Sequence, residues 1–360
     1  MSNQRVRVLV VEDSFTIRKW IVEILASQPG MDVVGEAADG KSAIELCQEL
    51  RPDVVTMDMM LPVMTGVSAT EYIMAYCPTP ILIVSASTNR NELFKTYDAL
   101  AAGAVDVLEK PLGVETDKAW EQRLVAAVQM VARIRVITHP RARLAHLGHG
   151  TSFQASSPLE DMEEPRVVAI GASTGGPSAL LTVLGALPKN FPLPILVVLH
   201  ISETFAIAMA QWLDAQIDLN VRYARDGERL PTPGNGCVLM APSEVHLEVA
   251  NNRLLLSNNP ERHSCRPSVD VLFESLAAEM GSQTIGCLLT GMGKDGARGL
   301  FEIKDRGGLT FAQDEHSSVV FGMPGEAIRL GAACAVLPLD EIGHALVAAA
   351  HCKTTQRLLS

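Results

Sequence analysis

Two α/β units in series, each built on a mainly parallel sheet, are what this chain predicts from three observations. Short runs rich in β-branched residues alternate with segments of helical periodicity from the N-terminus onward. That alternation lapses between about residues 133 and 165 and then resumes. The 360 residues, 48% of them hydrophobic, suffice for two well-buried cores at roughly 100–200 residues per domain.

In the first unit Val6–Val11 leads into Ser14–Ala26, Met31–Ala37 into Lys41–Leu50, and Val54–Met57 into Gly66–Tyr76; Ile81–Val84 leads into Asn91–Ala102, and Ala104–Leu108 into Thr116–Arg133. Parallel strands need a crossover, usually helical, so these βα units predict a doubly wound parallel sheet over residues 1–125. A helix end and linker follow over 126–164: a basic stretch with Arg133, Arg135, Arg141, Arg143, His146 and His149, a Ser/Thr/Pro segment, and the acids Glu160, Asp161, Glu163 and Glu164. His146 and His149 are read as solvated linker residues rather than metal ligands. The second unit is expected over 165–352, with a tail at 353–360. In it Val167–Ile170 leads into a helix near Ser178–Leu187, Ile195–Leu199 into one near Phe205–Ala215, and Thr284–Leu289 into a Gly-rich loop and helix. Residues 222–257, with Pro231, Pro233, Gly234 and Gly236 at turns, predict short strands in a small antiparallel ribbon.

Charge and cysteine usage narrow the function classes. Thirty basic against 41 acidic residues give −11, a field that repels phosphate backbones and argues against nucleic-acid binding. The second half also lacks a compact basic helix-turn-helix. The seven cysteines are scattered, odd in number and without a C-x-x-C pair, which suits reduced thiols and a cytoplasmic protein. No apolar run approaches the ~20 residues that span a bilayer, so neither membrane insertion nor a signal peptide is expected.

In an open parallel sheet, functional groups collect beyond the carboxyl ends of the strands. Glu12 and Asp13 end the first strand, Asp58 the third and Ser85 the fourth, and Lys110 follows the fifth. Three carboxylates this close need a hard divalent cation such as Mg²⁺ to coexist. With it, Asp58 can attack a phosphoryl donor, and Ser85 and Lys110 can pair with the phosphoryl oxygens. Val8–Val11 with Glu12-Asp13, Thr56-Met57-Asp58, Val84-Ser85 and Lys110-Pro111 resemble the receiver domain of two-component response regulators. The resemblance implies a flavodoxin-like sheet, phosphorylation of Asp58 by a partner histidine kinase, and Mg²⁺ held by Glu12, Asp13 and Asp58. The loop Met59-Met60-Leu61-Pro62-Val63-Met64-Thr65-Gly66 departs from the family's Met-Pro and Asp-Gly ends, and Val107 stands where many receivers place an aromatic residue.

The second unit carries a different set. Gly171-Ala172-Ser173-Thr174-Gly175-Gly176-Pro177 follows a β-branched strand and opens a helix, which places Ser173 at a helix N-terminus, where developing negative charge is favoured. The competing reading, a phosphate-cradling Gly loop, is weak: the segment lacks the G-x-G start of a dinucleotide fingerprint, and Gly293-Lys294 is followed by Asp295 rather than Ser or Thr, so it is no Walker A loop. His200 ends the strand Ile195–Leu199, and Asp295 follows Thr284–Leu289. Three strand ends thus bring Ser, His and Asp to one edge. A serine hydroxyl needs a base to take its proton, and the imidazole needs a carboxylate to fix its tautomer. The order Ser, His, Asp differs from the α/β-hydrolase, chymotrypsin and subtilisin orders.

These motifs, with Asp226-Gly227-Glu228, Ala241-Pro242, His246-Leu247, Ser268–Phe273, Ala312–Glu315 and Val319–Pro324, resemble the catalytic domain of the chemotaxis response-regulator methylesterase (CheB) family. The resemblance implies Ser173 as nucleophile, His200 as general base and Asp295 as orienting acid, with backbone amides at Thr174 and Met292 as candidate oxyanion donors. It implies hydrolysis of glutamate γ-methyl esters on chemoreceptors, with deamidation of receptor glutamines as a second acyl transfer, and an unphosphorylated receiver that covers the active-site edge. Leu199-His200-Ile201-Ser202 departs from the family's Gln-His-Met-Pro but keeps the base. His246 is read as structural. An esterase for an unrelated ester, or a catalytically silent binding module, are the competing expectations.

Overall fold

The computed structural model describes residues 5–86, 89–111, 118–134, 136, 163–234 and 236–351. They form two compact units, within residues 1–148 and 149–360. His146, His149, most of the expected linker and the tail at 353–360 lie outside the described residues.

The first unit runs β1 (Val6–Val11), α1 (Phe15–Ala26), β2 (Met31–Ala37), α2 (Gly40–Leu50), β3 (Val54–Met57), α3 (Gly66–Tyr76), β4 (Ile81–Ser85), α4 (Arg90–Ala101), β5 (Asp106–Glu109) and α5 (Lys118–Val131). Its five strands pair in parallel in the order β2-β1-β3-β4-β5. The order reverses between β1 and β3, the crevice where such sheets place their ligands. Side chains start the helices: Asp39 accepts from the amides of Lys41 and Ser42, Thr65 from Ser68, and Asn89 from Glu92. β5 begins at Asp106, two residues later than Ala104. Behind it Trp120 of α5 is fully buried, stacks on Trp20 at 4.7 Å and donates Nε1–H to the Glu109 carbonyl at 2.6 Å.

The second unit runs β6 (Val167–Ala172), α6 (Gly176–Gly185), β7 (Ile195–Leu199), α7 (Glu203–Ala206), α8 (Met209–Gln216), β8 (Asn220–Tyr223), β9 (Cys237–Met240), β10 (His246–Ala250), β11 (Arg253–Ser257), α9 (Val269–Met280), β12 (Thr284–Leu288), α10 (Ala297–Asp305), β13 (Leu309–Gln313), α11 (Met323–Arg329), β14 (Ala335–Leu337) and α12 (Leu339–Ala350). Seven strands form one parallel sheet in the order β14-β13-β12-β6-β7-β9-β8. β12, β6 and β7 lie at its centre and are buried throughout, as their unbroken apolar runs require.

Two expectations need correction. Among the described residues only the strands β10 and β11 make an antiparallel pair; β8 and β9, read as part of that ribbon, extend the parallel sheet. Pro and Gly between two short apolar runs signal a turn, but they do not say whether the chain reverses or crosses over. The helix expected over Phe205–Ala215 is two, α7 and α8, interrupted at Ile207-Ala208, where Ile207 is exposed.

Trp120 tests the packing of the first unit. Trp120→Ala should cost about 3–5 kcal/mol in urea unfolding followed in that unit, whereas Tyr76→Ala, at an exposed ring, should change little.

Candidate active site and acidic pocket

At the crevice between β1 and β3, Glu12 and Asp58 are buried while Asp13 is exposed. Lys110, after β5, places Nζ 2.6 Å from Glu12 Oε2 and 3.1 Å from Asp58 Oδ2. Ser85 ends β4 and its carbonyl accepts the Lys110 amide at 2.9 Å. The Met59 amide donates to Asp58 Oδ1 at 2.7 Å. Burial pushes the Glu12 carboxyl up against the opposing pull of Lys110. Burial also pulls Lys110 down, but the carboxylates of Asp58 and Glu12 outweigh it and leave the ammonium above the ordinary lysine value. Glu12, Asp13 and Asp58 each bring an oxygen within 4.8 Å of the others. Three carboxylates against one ammonium leave excess negative charge, and an all-oxygen donor set suits a hard divalent cation.

The departing loop closes tightly over this pocket. A Cβ on Gly66 would lie 2.1 Å from the Asp58 carbonyl oxygen, so glycine is required there. Val63 is exposed and holds a left-handed φ of 64°. Val107 is half-buried on β5.

In the second unit the edge is assembled by backbone bonds between loops. The His200 amide donates to the Ala172 carbonyl at 3.0 Å, and the Ser173 amide donates to Thr290 O at 3.0 Å. Adjacent strands β6 and β7 therefore present Ser173 and His200 side by side. Gly175, at φ 77°, turns the chain into α6, and Pro177 sits in its first turn. A Cβ on Gly291 would lie 2.3 Å from Met323 Sδ and 2.7 Å from Ser173 Cβ, so the Thr290–Met292 loop can pass this close only as glycine. Thr290 ties the surrounding loops together: its Oγ1 donates to Thr174 O at 3.0 Å and accepts the Val320 amide at 2.9 Å, while its amide donates to Gln313 Oε1 at 2.7 Å. Among the described residues the amides of Thr174 and Met292 engage no acceptor, and the Ser173 hydroxyl makes no side-chain hydrogen bond.

Asp295 is buried and accepts four hydrogen bonds. They come from His200 Nε2 at 2.9 Å, Ser268 Oγ at 2.7 Å, and the amides of Val269 at 2.7 Å and Asp270 at 3.1 Å. Ser268 is the N-cap of α9, so the carboxylate lies on the positive end of that helix. Burial pushes its pKa up, and His200, Ser268 and the Val269 amide outweigh it and hold it below the usual carboxylate value. Since Asp295 accepts the hydrogen bond of Nε2–H, the neutral imidazole keeps its lone pair on Nδ1. Burial pulls the His200 imidazolium down, but its bonds to Asp295 and Cys265 outweigh that and lift it to about 9.

His246 is fully buried. Its Nδ1 accepts the Ser268 amide at 3.1 Å and its Nε2 meets Pro260 O at 3.1 Å, a pin between β10 and the segment before α9.

The CheB methylesterase family model matches residues 168–346, and the response regulator receiver domain model matches residues 8–118. The protein-glutamate methylesterase/protein-glutamine glutaminase of Nitrosospira multiformis is 44% identical over 346 residues, 95% of this chain and 96% of that protein. This chain belongs to the CheB family. A second CheB-type relative, protein-glutamate methylesterase/protein-glutamine glutaminase 4 of Geobacter metallireducens, is 42% identical over 96% of this chain and 99% of its own. The crystal structure of the Thermotoga maritima CheB methylesterase catalytic domain is 40% identical, covers 51% of this chain and 97% of its own, and superposes with a TM-score of 0.47.

Within this CheB-type site, residue spacing did not reveal the donors that hold Asp295, or Thr290 and Cys265. The Ser268–Phe273 motif contained the signal for the first, because a serine opening an apolar helix is an N-cap whose free amides attract a carboxylate. His200 should titrate near pH 9 in a ¹⁵N NMR titration, and Asp295→Asn should lower that value. Wild-type titration at the ordinary 6.5 would contradict the pairing described.

Proposed function

We propose that the chain is a phosphorylation-regulated protein-glutamate methylesterase that demethylates chemoreceptor glutamate γ-methyl esters and deamidates receptor glutamines by the same route. The observation that carries this reading is the His200–Asp295 pair, anchored on α9, at the strand edge that also holds Ser173.

Ser173 Oγ attacks the ester carbonyl as His200 Nδ1 takes its proton, and the imidazolium is stabilised by Asp295. The uncommitted amides of Thr174 and Met292 are suited to receive the oxyanion, each such donor typically supplying about 2.7–4 kcal/mol of transition-state stabilisation. The His200 imidazolium then gives that proton to the ester methoxy oxygen, or to the nitrogen of an amide, so that methanol or ammonia leaves; His200 next takes a proton from water, which attacks the acyl group, and returns it to Ser173 Oγ as the carboxylate departs. The base works only when neutral. With an imidazolium value of about 9, some 1% of the free protein is competent at pH 7, so kcat/KM should rise roughly tenfold per pH unit towards a plateau above about 9.

In the receiver, Asp58 is the phosphoryl acceptor, with a histidine kinase of the chemotaxis system as donor. Glu12, Asp13 and Asp58 would hold Mg²⁺, which offsets the charge of the incoming phosphoryl group. Lys110 pairs with that group and Ser85 senses it; the ion pairs of Lys110 with Glu12 and Asp58 support this reading. The substrates lie on the cytoplasmic helices of receptors, and the chain acts there as a cytoplasmic protein. Among its described residues no helix is long and apolar enough to cross a membrane.

Methanol release from methylated chemoreceptor membranes tests this reading. Ser173→Ala should lose more than about 10⁴-fold in kcat and Asp295→Asn about 10⁴-fold. A small-molecule phosphodonor with Mg²⁺ should raise the wild-type rate but leave Asp58→Ala at its basal rate. Methanol release that survives Ser173→Ala, or donor stimulation that survives Asp58→Ala, would refute the corresponding half.

A further inference from the structure

We propose that His200 and Cys265 form a binding site for a thiophilic divalent metal ion, represented by Zn²⁺, and that occupancy switches the hydrolytic site off. Cys265 Sγ lies 3.7 Å from His200 Nδ1, the ring nitrogen that Asp295 leaves free. A tetrahedral zinc with Zn–N near 2.0–2.1 Å and Zn–S near 2.3 Å sets its nitrogen and sulfur ligands about 3.6 Å apart. The observed separation of 3.7 Å matches that ligand-to-ligand spacing.

Two further features suit a metal. A histidine ligand typically donates its other ring N–H to a carboxylate, which fixes its tautomer and raises its basicity. Asp295 occupies that position, itself held by Ser268, Val269 and Asp270. His200, Cys265 and Asp295 each bring a ligating atom within 4.8 Å of the others.

The thiol is also held in place. Arg262 and Cys265 exchange backbone hydrogen bonds at 3.1 and 2.9 Å across a two-residue turn, with His263 at φ 53° and Ser264 at φ 59°. Arg262 grips Glu274 of α9 through two bonds of 2.5 and 2.6 Å, and His263 Nε2 meets Asp270 Oδ2 at 3.1 Å. The turn is thus bolted to the same helix that positions Asp295.

The donor chemistry separates this site from the acidic pocket, where three carboxylates favour a hard ion such as Mg²⁺. Imidazole and thiolate favour zinc and related metals. Binding forms one metal–nitrogen and one metal–sulfur bond and releases the protons of the imidazolium and the thiol, so affinity rises with pH. With Nδ1 ligated, Ser173 has no base.

The test uses the full-length protein with excess Mg²⁺ to fill the acidic pocket and Co²⁺ as a spectroscopic probe. One equivalent should produce a near-ultraviolet thiolate-to-cobalt band that Zn²⁺ displaces. Cys265→Ser, close in shape, and Cys265→Ala should both abolish the band, and Cys334→Ala, at an exposed thiol, should keep it. Asp295→Asn should weaken Zn²⁺ binding by about 10–100-fold. Zn²⁺ should inhibit wild type, with chelator reversal, and should spare Cys265→Ser when each rate is compared with its own metal-free value. A band unchanged in both Cys265 variants, or no band at millimolar Co²⁺, would overturn the proposal. The spectral readout needs no substrate, so its failure is distinct from failure of the esterase reading.

Discussion

Asp295 accepts four hydrogen bonds in a buried position at the N-terminus of α9, and the chemistry of the second unit depends on that arrangement. Desolvation alone would drive this carboxyl towards its neutral form, which could not orient an imidazolium. His200 makes the largest contribution against that tendency, and the cap hydroxyl of Ser268 and the amide of Val269 add to it. The negative charge is therefore held jointly by its partner and by the N-terminus of α9. His200 inherits from it a defined tautomer, a defined ring orientation and a raised affinity for a proton, so the base is strong but mostly protonated near neutrality.

The two units solve the same architectural problem with opposite electrostatics. Both place functional side chains beyond the carboxyl ends of parallel strands, at loops where short glycine-dependent turns let the chain pass close. In the first, the carboxylates of Glu12 and Asp58 share one ammonium, and the Asp58 side chain takes a single amide bond. That leaves a pocket with excess negative charge, as the proposed cation and phosphoryl chemistry requires. In the second, the carboxylate accepts four hydrogen bonds, His200 Nδ1 meets only the weak Cys265 thiol at 3.7 Å, and the Ser173 hydroxyl makes no side-chain hydrogen bond among the described residues. One pocket carries excess negative charge, and the other carries the groups that the proposed proton transfer would use.

Much of this was legible in the residues, because Glu12, Asp13, Asp58, Ser85, Lys110, Ser173 and His200 lie at a strand end or one or two positions beyond it. The apolar runs of β1, β3, β6, β7 and β12 announce buried parallel strands, and the residues just after each strand are polar for a reason other than solubility. Less legible were features set by contacts distant in sequence. Nothing in residues 222–257 says that β8 and β9 lie parallel, since turn composition is silent on which neighbour a strand chooses. The break at Ile207-Ala208 has no glycine or proline to mark it. The partner atoms of Asp295 and the approach of Cys265 to His200 come from segments that meet only when α9 packs against the sheet.

The rate at which a fluorophosphonate labels the protein, read by peptide mass spectrometry with and without phosphodonor and Mg²⁺, is the most direct test of a serine nucleophile governed by Asp295 and Asp58. A single adduct should form on Ser173, faster with donor only when Asp58 is present, and far more slowly in Asp295→Asn. An adduct on another residue, or a Ser173 rate indifferent to Asp295, would contradict that mechanism.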